Sequence, residues 1–315
     1  MFRLAHISDP HLGPLPTPSF SELLSKRITG YANWRFNRKS GHNPQYLNQL
    51  IADIQSKNPD HLAITGDLVN LALPSEITNA AAWMQSLGNA HDISFVPGNH
   101  DAYVSGIRDQ ALKLWAPWVT GDRSNRSQNS VPGQQYGIFP YKRHRGPVAL
   151  IGVSTAIATA PFMATGKIGR QQCHMLEQLL QTERENGTFR VIMIHHPPLL
   201  NSTPKYKRLI DTTRFQQIIA RAGAELVIHG HTHVNSIGYI DGPDDNAVPV
   251  IGVPAASAAP GGHKPASRYN LFSIEGQTGS WNCQWEEFGY NQTNPDLVSR
   301  LSTRTLIQAG QCRSL

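Results

Sequence analysis

Five short segments of the chain carry side chains that bind hard or borderline metal ions. They are Asp9-Pro10-His11, Gly66-Asp67, Gly98-Asn99-His100-Asp101, His195-His196-Pro197-Pro198 and Gly230-His231-Thr232-His233. This mixture of carboxylate, amide and imidazole donors suits Mn²⁺, Fe or Zn²⁺. It suits Ca²⁺, which prefers oxygen alone, and thiolate-bound metals less well. In Asp-x-His and His-x-His the alternation of an extended chain puts both donors on one side, so each pair can chelate. Any one segment is common; the five together, in this order, are specific.

Each segment follows an apolar run. Phe2 to Ser8, His61 to Thr65, Ile93 to Val96, Val148 to Val153, Phe189 to Ile194 and Leu226 to His229 read as strands buried on both faces. Between them lie helical periods. Leu47, Leu50, Ile51 and Ile54 form one face, with Asn43 as N-cap and Pro44 in the first turn. Cys173, Leu176 and Leu180 form a second, and Phe215, Ile218, Ile219 and Ala222 a third, closed by Gly223. Alternating strands and helices predict an α/β sheet fold, in which ligands bind beyond the carboxyl ends of the strands. The last third changes character: Val248 to Val253, Tyr269 to Glu275 and Ser280 to Phe288 read as strands without helices, and Gly276 to Gly279 as a hairpin turn.

Composition bounds the answer. The chain has 315 residues, 39% of them hydrophobic, which is enough for a large core and excludes a disordered chain. Twenty-eight Lys and Arg against 22 Asp and Glu give a net charge of +6, so anionic partners are favoured. Three cysteines are too few for a disulfide framework and fit a reduced, intracellular setting. Phe2 to Ile7 is too short for the apolar region of a secretory signal. Val148 to Ala160 stops short of the roughly 20 residues of a membrane span. A soluble, cytoplasmic protein is expected.

The ordered set of donor segments resembles the calcineurin-like metallophosphoesterase superfamily across residues 4 to 233. The resemblance implies a four-layer α/β/β/α sandwich, taken to span residues 1–290; residues 291–315, polar and weakly patterned, read as a surface tail. It also implies two metal ions. Asp9, His11, Asp67 and His233 would hold one, and Asp67, Asn99, His195 and His231 the other, with Asp67 bridging. Such pairs lie roughly 3.5–4 Å apart and share a hydroxide that attacks phosphorus in line. His100 would donate a proton to the leaving oxygen, with Asp101 fixing its tautomer. His196, His229 and His61 read as packing residues, and His263 as a surface-loop residue within reach of substrate.

Residues 13–43 form an insertion where compact phosphoesterases need a short connection. Lys26, Arg27, Arg35, Arg38 and Lys39 stand against Glu22 alone, a net +4, with Phe20, Leu23, Leu24, Ile28, Tyr31 and Trp34 interleaved. A basic amphipathic helix from Ser19 or Ser21 is predicted. It could be a cap with solvated cations, a lid whose Lys26, Arg27 and Arg35 grip substrate phosphate, or a nucleic-acid footprint. Such a helix can also rest on a membrane surface. The run Leu24 to Asn33 is similar to a segment of bacterial metallophosphoesterases related to UDP-diacylglucosamine pyrophosphatases, which implies a lipid-linked phosphate substrate. Small diesters, including cyclic nucleotides, are the alternative. A nuclease and a non-catalytic scaffold are further rivals, although no extended basic groove is evident and every ligand is retained.

Overall fold

In the computed structural model, which describes residues 1–38, 41–122, 139–290 and 297–312, the apolar runs become strands of two sheets. Strands β1 (Phe2–Ile7), β2 (His61–Ile64) and β3 (Ile93–Phe95) run parallel side by side. The chain then builds a second sheet from β4 (Tyr141–Arg145), β5 (Val148–Gly152), β6 (Phe189–Met193), β7 (Leu226–His229), β8 (Ser236–Asp241) and β9 (Ala247–Gly252). Its order is β4-β5-β6-β7-β9-β8, with β5, β6, β7 and β9 parallel. The chain returns to the first sheet through β10 (Arg268–Glu275), β11 (Asn282–Gly289), β12 (Ser299–Gln308) and β13 (Gln311–Cys312). These complete the order β13-β12-β11-β10-β1-β2-β3.

Alternation along the strands divides the apolar residues between two cores. Leu150, Val191 and Ile228 share one face of the second sheet and join the cluster that holds Leu4, Ile7 and Ile64 of the first. Their neighbours Ile151, Ile192 and Val227 face outward, against α7 (Arg170–Glu185) and α8 (Thr212–Ala222). The earlier helices α3 (Pro44–Ser56), α4 (Pro74–Ser86), α5 (Ile107–Leu114) and α6 (Ala116–Val119) bury Leu47, Leu50, Ile77, Met84, Ile107 and Trp118 in the core of the first sheet. The result is the four-layer α/β/β/α sandwich. Asn43 caps α3 as its sequence predicts, its side chain accepting from the Gln45 amide, an interaction worth about 1 kcal/mol.

Three expectations need correction. Within the expected tail of 291–315, residues 299–312 join the first sheet: β12 pairs along β11, with Arg300 bonded to Glu286 and Ser302 to Glu287 across the pair. Its sequence is mostly polar because backbone pairing and cross-strand contacts hold it, with apolar burial limited to Leu306 and Ile307. Residues 291–296 and 313–315 lie outside the described residues. Strand β4, Tyr-Lys-Arg-His-Arg, gives no apolar signal because Arg143 is buried with its guanidinium donating to four carbonyls, those of Ala90, Ile93, Pro117 and Thr120. The third correction is the insertion, which is not one helix. Ser19 caps α1 (Phe20–Leu23) through a reciprocal bond with Glu22, and the chain breaks before α2 (Arg27–Asn33). Tertiary contacts set the second piece: Arg27 is tied to the Leu71 and Ala72 carbonyls, and a Cβ on Gly30 would collide with the Tyr103 ring. Lys39 and the side chain of Arg38 lie outside the described residues.

No helix among the described residues is long and apolar enough to cross a membrane.

Candidate metal centre

The donor segments follow directly on β1, β2, β3, β6 and β7, so the two sheets bring them to one place. One ligand atom each from Asp9, Asp67 and His195 lie within 4.8 Å of one another, as do atoms of His11, Asp67 and His100. His233 Nε2 stands 3.1 Å from Asp9 Oδ1, His195 Nε2 stands 3.4 Å from Asp67 Oδ2, and Asn99 Oδ1 lies 3.3 Å from His195 Nε2. The His231 ring centroid is 5.1 Å from that of His195. Asp67, Asn99, His231 and His233 line one cavity of about 880 Å³, together with His100.

The backbone is shaped around these side chains. Asp9, His11, Asp67, His231 and His233 all adopt left-handed φ values, between 39° and 68°. Each such non-glycine residue costs on the order of 1–3 kcal/mol, which persists only where the surroundings over-determine it. The glycines before the ligands leave room for them. A Cβ on Gly66 would run into His195 Nδ1, one on Gly98 into Asp67 Oδ1, and one on Gly230 into Ser8 Oγ.

Ring orientation is set from behind. Nδ1 of His11 donates to the Val69 carbonyl, Nδ1 of His195 to Thr65, and Nδ1 of His100 to Asn70, all on the segment after β2. That tautomer presents the Nε2 lone pair of each ring. His231 is turned the other way: Nε2 meets the Lys207 carbonyl at 2.9 Å, which presents Nδ1.

Electrostatics favour added positive charge. Burial opposes ionisation of Asp9, yet the His233 and His195 imidazoles hold its carboxyl well below the usual range. Asp67 is lowered likewise, burial being outweighed by His195 and His100. His195 in turn rises to about 9, because Asp67 and Asp9 outweigh its own burial. Asp9 Oδ1 is fully buried, facing His233 Nε2 at 3.1 Å and His11 Nε2 at 3.9 Å. A buried carboxylate between two imidazoles is satisfied by a proton on one ring or by a cation shared among all three. The donor set therefore fits metal ions of the nitrogen–oxygen type.

The chain belongs to the calcineurin-like phosphoesterase family. The family model matches residues 2–235, which carry all five donor segments. Membership places this metallophosphoesterase among the phosphoric ester hydrolases, in a family that depends on two metal ions. Among solved structures it is similar to a dimetal phosphatase from Danio rerio. The match covers 96% of this chain and 98% of that one at 11% identity, with a TM-score of 0.59. It is also similar to the purple acid phosphatase PPD1 of yellow lupin (Lupinus luteus) seeds. That match covers 100% of this chain and 56% of that one, with 12% identity and a TM-score of 0.54. At such identities the likeness is one of fold. No curated protein sequence matches the chain.

The other expected site residues divide. Asp101 does not hold the His100 ring; its buried carboxylate accepts from the amides of Asp67, Leu68, Val69 and Gly98, locking two donor loops together. Burial and the Asp67 charge push its pKa up to about 8. Arg27 is buried in its two carbonyl bonds, which take up the fork a phosphate would need, and Arg35 is exposed and does not line the metallophosphoesterase cavity. Lys26 does line it, its Nζ bonded to Thr159 Oγ1 and the Met163 carbonyl and 4.7 Å from the Tyr103 ring centroid. His196 is buried between Thr155 and Ala164, His229 is buried beside Gly230, and His61 bonds Ser94; all three pack. His263 lines the cavity mouth with Lys264.

Sequence reasoning passed over His42. It sits at the end of the insertion, with no neighbouring motif, and only the pairing of residues 41–43 with 257–259 brings it to the site.

Proposed function

We propose that the chain is a dinuclear metal-dependent hydrolase that cleaves a phosphodiester or pyrophosphate bond in an amphiphilic phosphate substrate. The observation that carries the reading is the convergence of Asp9, Asp67 and His195, with His11 and His233 against the buried Asp9 carboxylate. Asp9, His11, Asp67 and His233 would hold one ion, and Asp67, Asn99, His195 and His231 the other. Bound there, Mn, Fe or Zn ions supply Lewis acidity and a water of lowered pKa.

The remaining work falls to the chain's own side chains. With Nδ1–H held on the Asn70 carbonyl, His100 turns Nε2 to the cavity, where the imidazolium form of the ring carries a second, exchangeable proton. From there it can pass that proton to a leaving oxygen. Such general acid assistance contributes roughly 10²–10⁴-fold. Lys26, Lys207 and Lys264 line the same cavity, and Asp67 supplies the one carboxylate among the described residues that line it. Three cations around a single acid suit a polyanionic phosphate.

The amphiphilic part rests on the mouth of the cavity. Phe162 and Met163 line it, and Phe162 is 84% exposed. The insertion that supplies Lys26 also exposes Phe20, Leu24, Ile28 and Phe36. Apolar side chains flanking a cationic pocket suit a substrate with an apolar tail, and a peripheral contact with a lipid surface.

Turnover of bis(p-nitrophenyl) phosphate with Mn²⁺, abolished by chelator and restored by metal, is the first test. Absence of metal-dependent turnover on diesters and pyrophosphates alike would contradict the proposal. A lipid-linked diphosphate compared with a cyclic nucleotide then decides the substrate class, the former being expected to show the higher kcat/KM.

A further inference from the structure

His42 lies in the same constellation as the donors from the sheet ends. One ring nitrogen each from His11, His42 and His233 fall within 4.8 Å of one another. Its ring is 4.7 Å from that of His11, at 66° between planes, and 5.9 Å from that of His233. Imidazole nitrogens bound to one ion at about 2.0–2.1 Å stand at most about 4.2 Å apart, so nitrogens already within 4.8 Å of one another need approach by no more than about 0.6 Å to share a cation.

The placement is built. Asn43 N donates to the Ser257 carbonyl at 2.9 Å, Ala259 N donates to the Gly41 carbonyl at 3.0 Å, and His42 bridges Ala258 in antiparallel fashion. Two segments more than 200 residues apart in sequence thereby lock the backbone on both sides of His42. Ser257 Oγ, itself buried, meets His42 Nδ1 at 2.7 Å. With the hydrogen on Nδ1, the ring presents the Nε2 lone pair, the same arrangement found behind His11 and His195.

We propose that His42 is an eighth protein ligand, binding through Nε2 the ion held by Asp9, His11, Asp67 and His233. The inference rests on the dinuclear reading. It adds that the insertion contributes to the metal centre itself, as well as to the wall of the cavity. Ser257 acts through His42 and is a positioning residue.

Mn²⁺ titration of the intact chain by calorimetry provides the test, with H42A and S257A alongside the wild type. The wild type should bind two Mn²⁺. H42A should keep its far-UV spectrum and bind one of the two about 10-fold or more weakly, S257A more weakly by a smaller factor. In the Co²⁺-loaded protein, H42A should lack one hyperfine-shifted exchangeable imidazole proton, which a merely structural role would leave in place. Wild-type affinity for both ions in H42A, or an unchanged set of shifted protons, overturns the assignment. If H42A does not fold, H42Q carries the same measurements. Failure of the wild type to bind two Mn²⁺ instead overturns the dinuclear reading.

Discussion

The imidazole of His100 stacks on the ring of Tyr103, centroids 5.5 Å apart and planes 23° apart. Tyr103 in turn carries Lys26 over its ring. The proposed proton donor is therefore held on one side by the Asn70 carbonyl and on the other by an aromatic face. Replacing His100 by Ala should leave both metals bound and lower kcat by roughly 10²–10⁴-fold for poor leaving groups, and by much less for p-nitrophenolate. Equal losses on both substrate types would exclude proton donation.

Asp67 is the donor that the two proposed ligand sets share, and its loop is crowded. Gly98, which precedes Asn99, has no room for a side chain: a Cβ would strike Asp67 Oδ1 and come within 2.7 Å of His195 Cε1. Gly98→Ala should therefore move two ligands at once and weaken metal binding by about 10–100-fold, comparable to disturbing the groups that orient a ligand. Asp67→Ala should lose one ion or both. Equilibrium dialysis against Mn²⁺ measures each variant, and undisturbed binding in Gly98→Ala would mean that the cradle is looser than its geometry.

Those glycines show what could be read from the chain and what could not. Asp-x-His, Gly-Asp, Gly-Asn-His-Asp and Gly-His-x-His are local patterns at strand ends, so the donors and the sheet they cap were legible together. His42 was not, because its place depends on a backbone bridge to Ala258. Asp101 was found but its role was misread. Adjacency to His100 suggested a ring partner, whereas a buried carboxylate takes whatever donors surround it, here four amides. Strand β4 was hidden by a buried arginine, and β12 by threonine and serine, whose fitness for a sheet edge leaves no apolar signature.

Lys26 and Arg27 are adjacent cations with opposite duties. Arg27 donates to the Leu71 and Ala72 carbonyls at 2.9 and 2.6 Å and pins the insertion to the sheet-end loop. Arg27→Ala should lower stability by about 2 kcal/mol, since bonds from a charged donor are lost and two carbonyls are left unpaired. Lys26→Ala should leave the melting temperature almost unchanged and raise KM for a phosphate substrate, with less effect on kcat. Thermal melts and steady-state kinetics on both variants separate the roles. A stability loss in Lys26→Ala, or a KM effect confined to Arg27→Ala, would reverse the assignment.

A last prediction concerns acid stability, away from the metal centre. The Glu183 side chain on α7 is fully buried and bonded to Lys142 at 2.5 Å and to His144 at 2.6 Å. Burial alone would raise its pKa, but the bonds from Lys142 and His144 outweigh it and hold the carboxyl below the ordinary value of 4.5. A group whose folded pKa is depressed contributes stability that is complete above the unfolded pKa and lost as pH falls through the folded one. The contribution should therefore be intact at neutral pH and disappear below about pH 4.5, in the acid limb of the unfolding curve. Glu183→Gln should be less stable than the wild type at pH 7, and the two should draw together as pH is lowered through that range. Denaturant unfolding at a series of pH values reads the difference directly. A gap between the two proteins that stays constant down to pH 3 would show that Glu183 acts through packing and not through its charge.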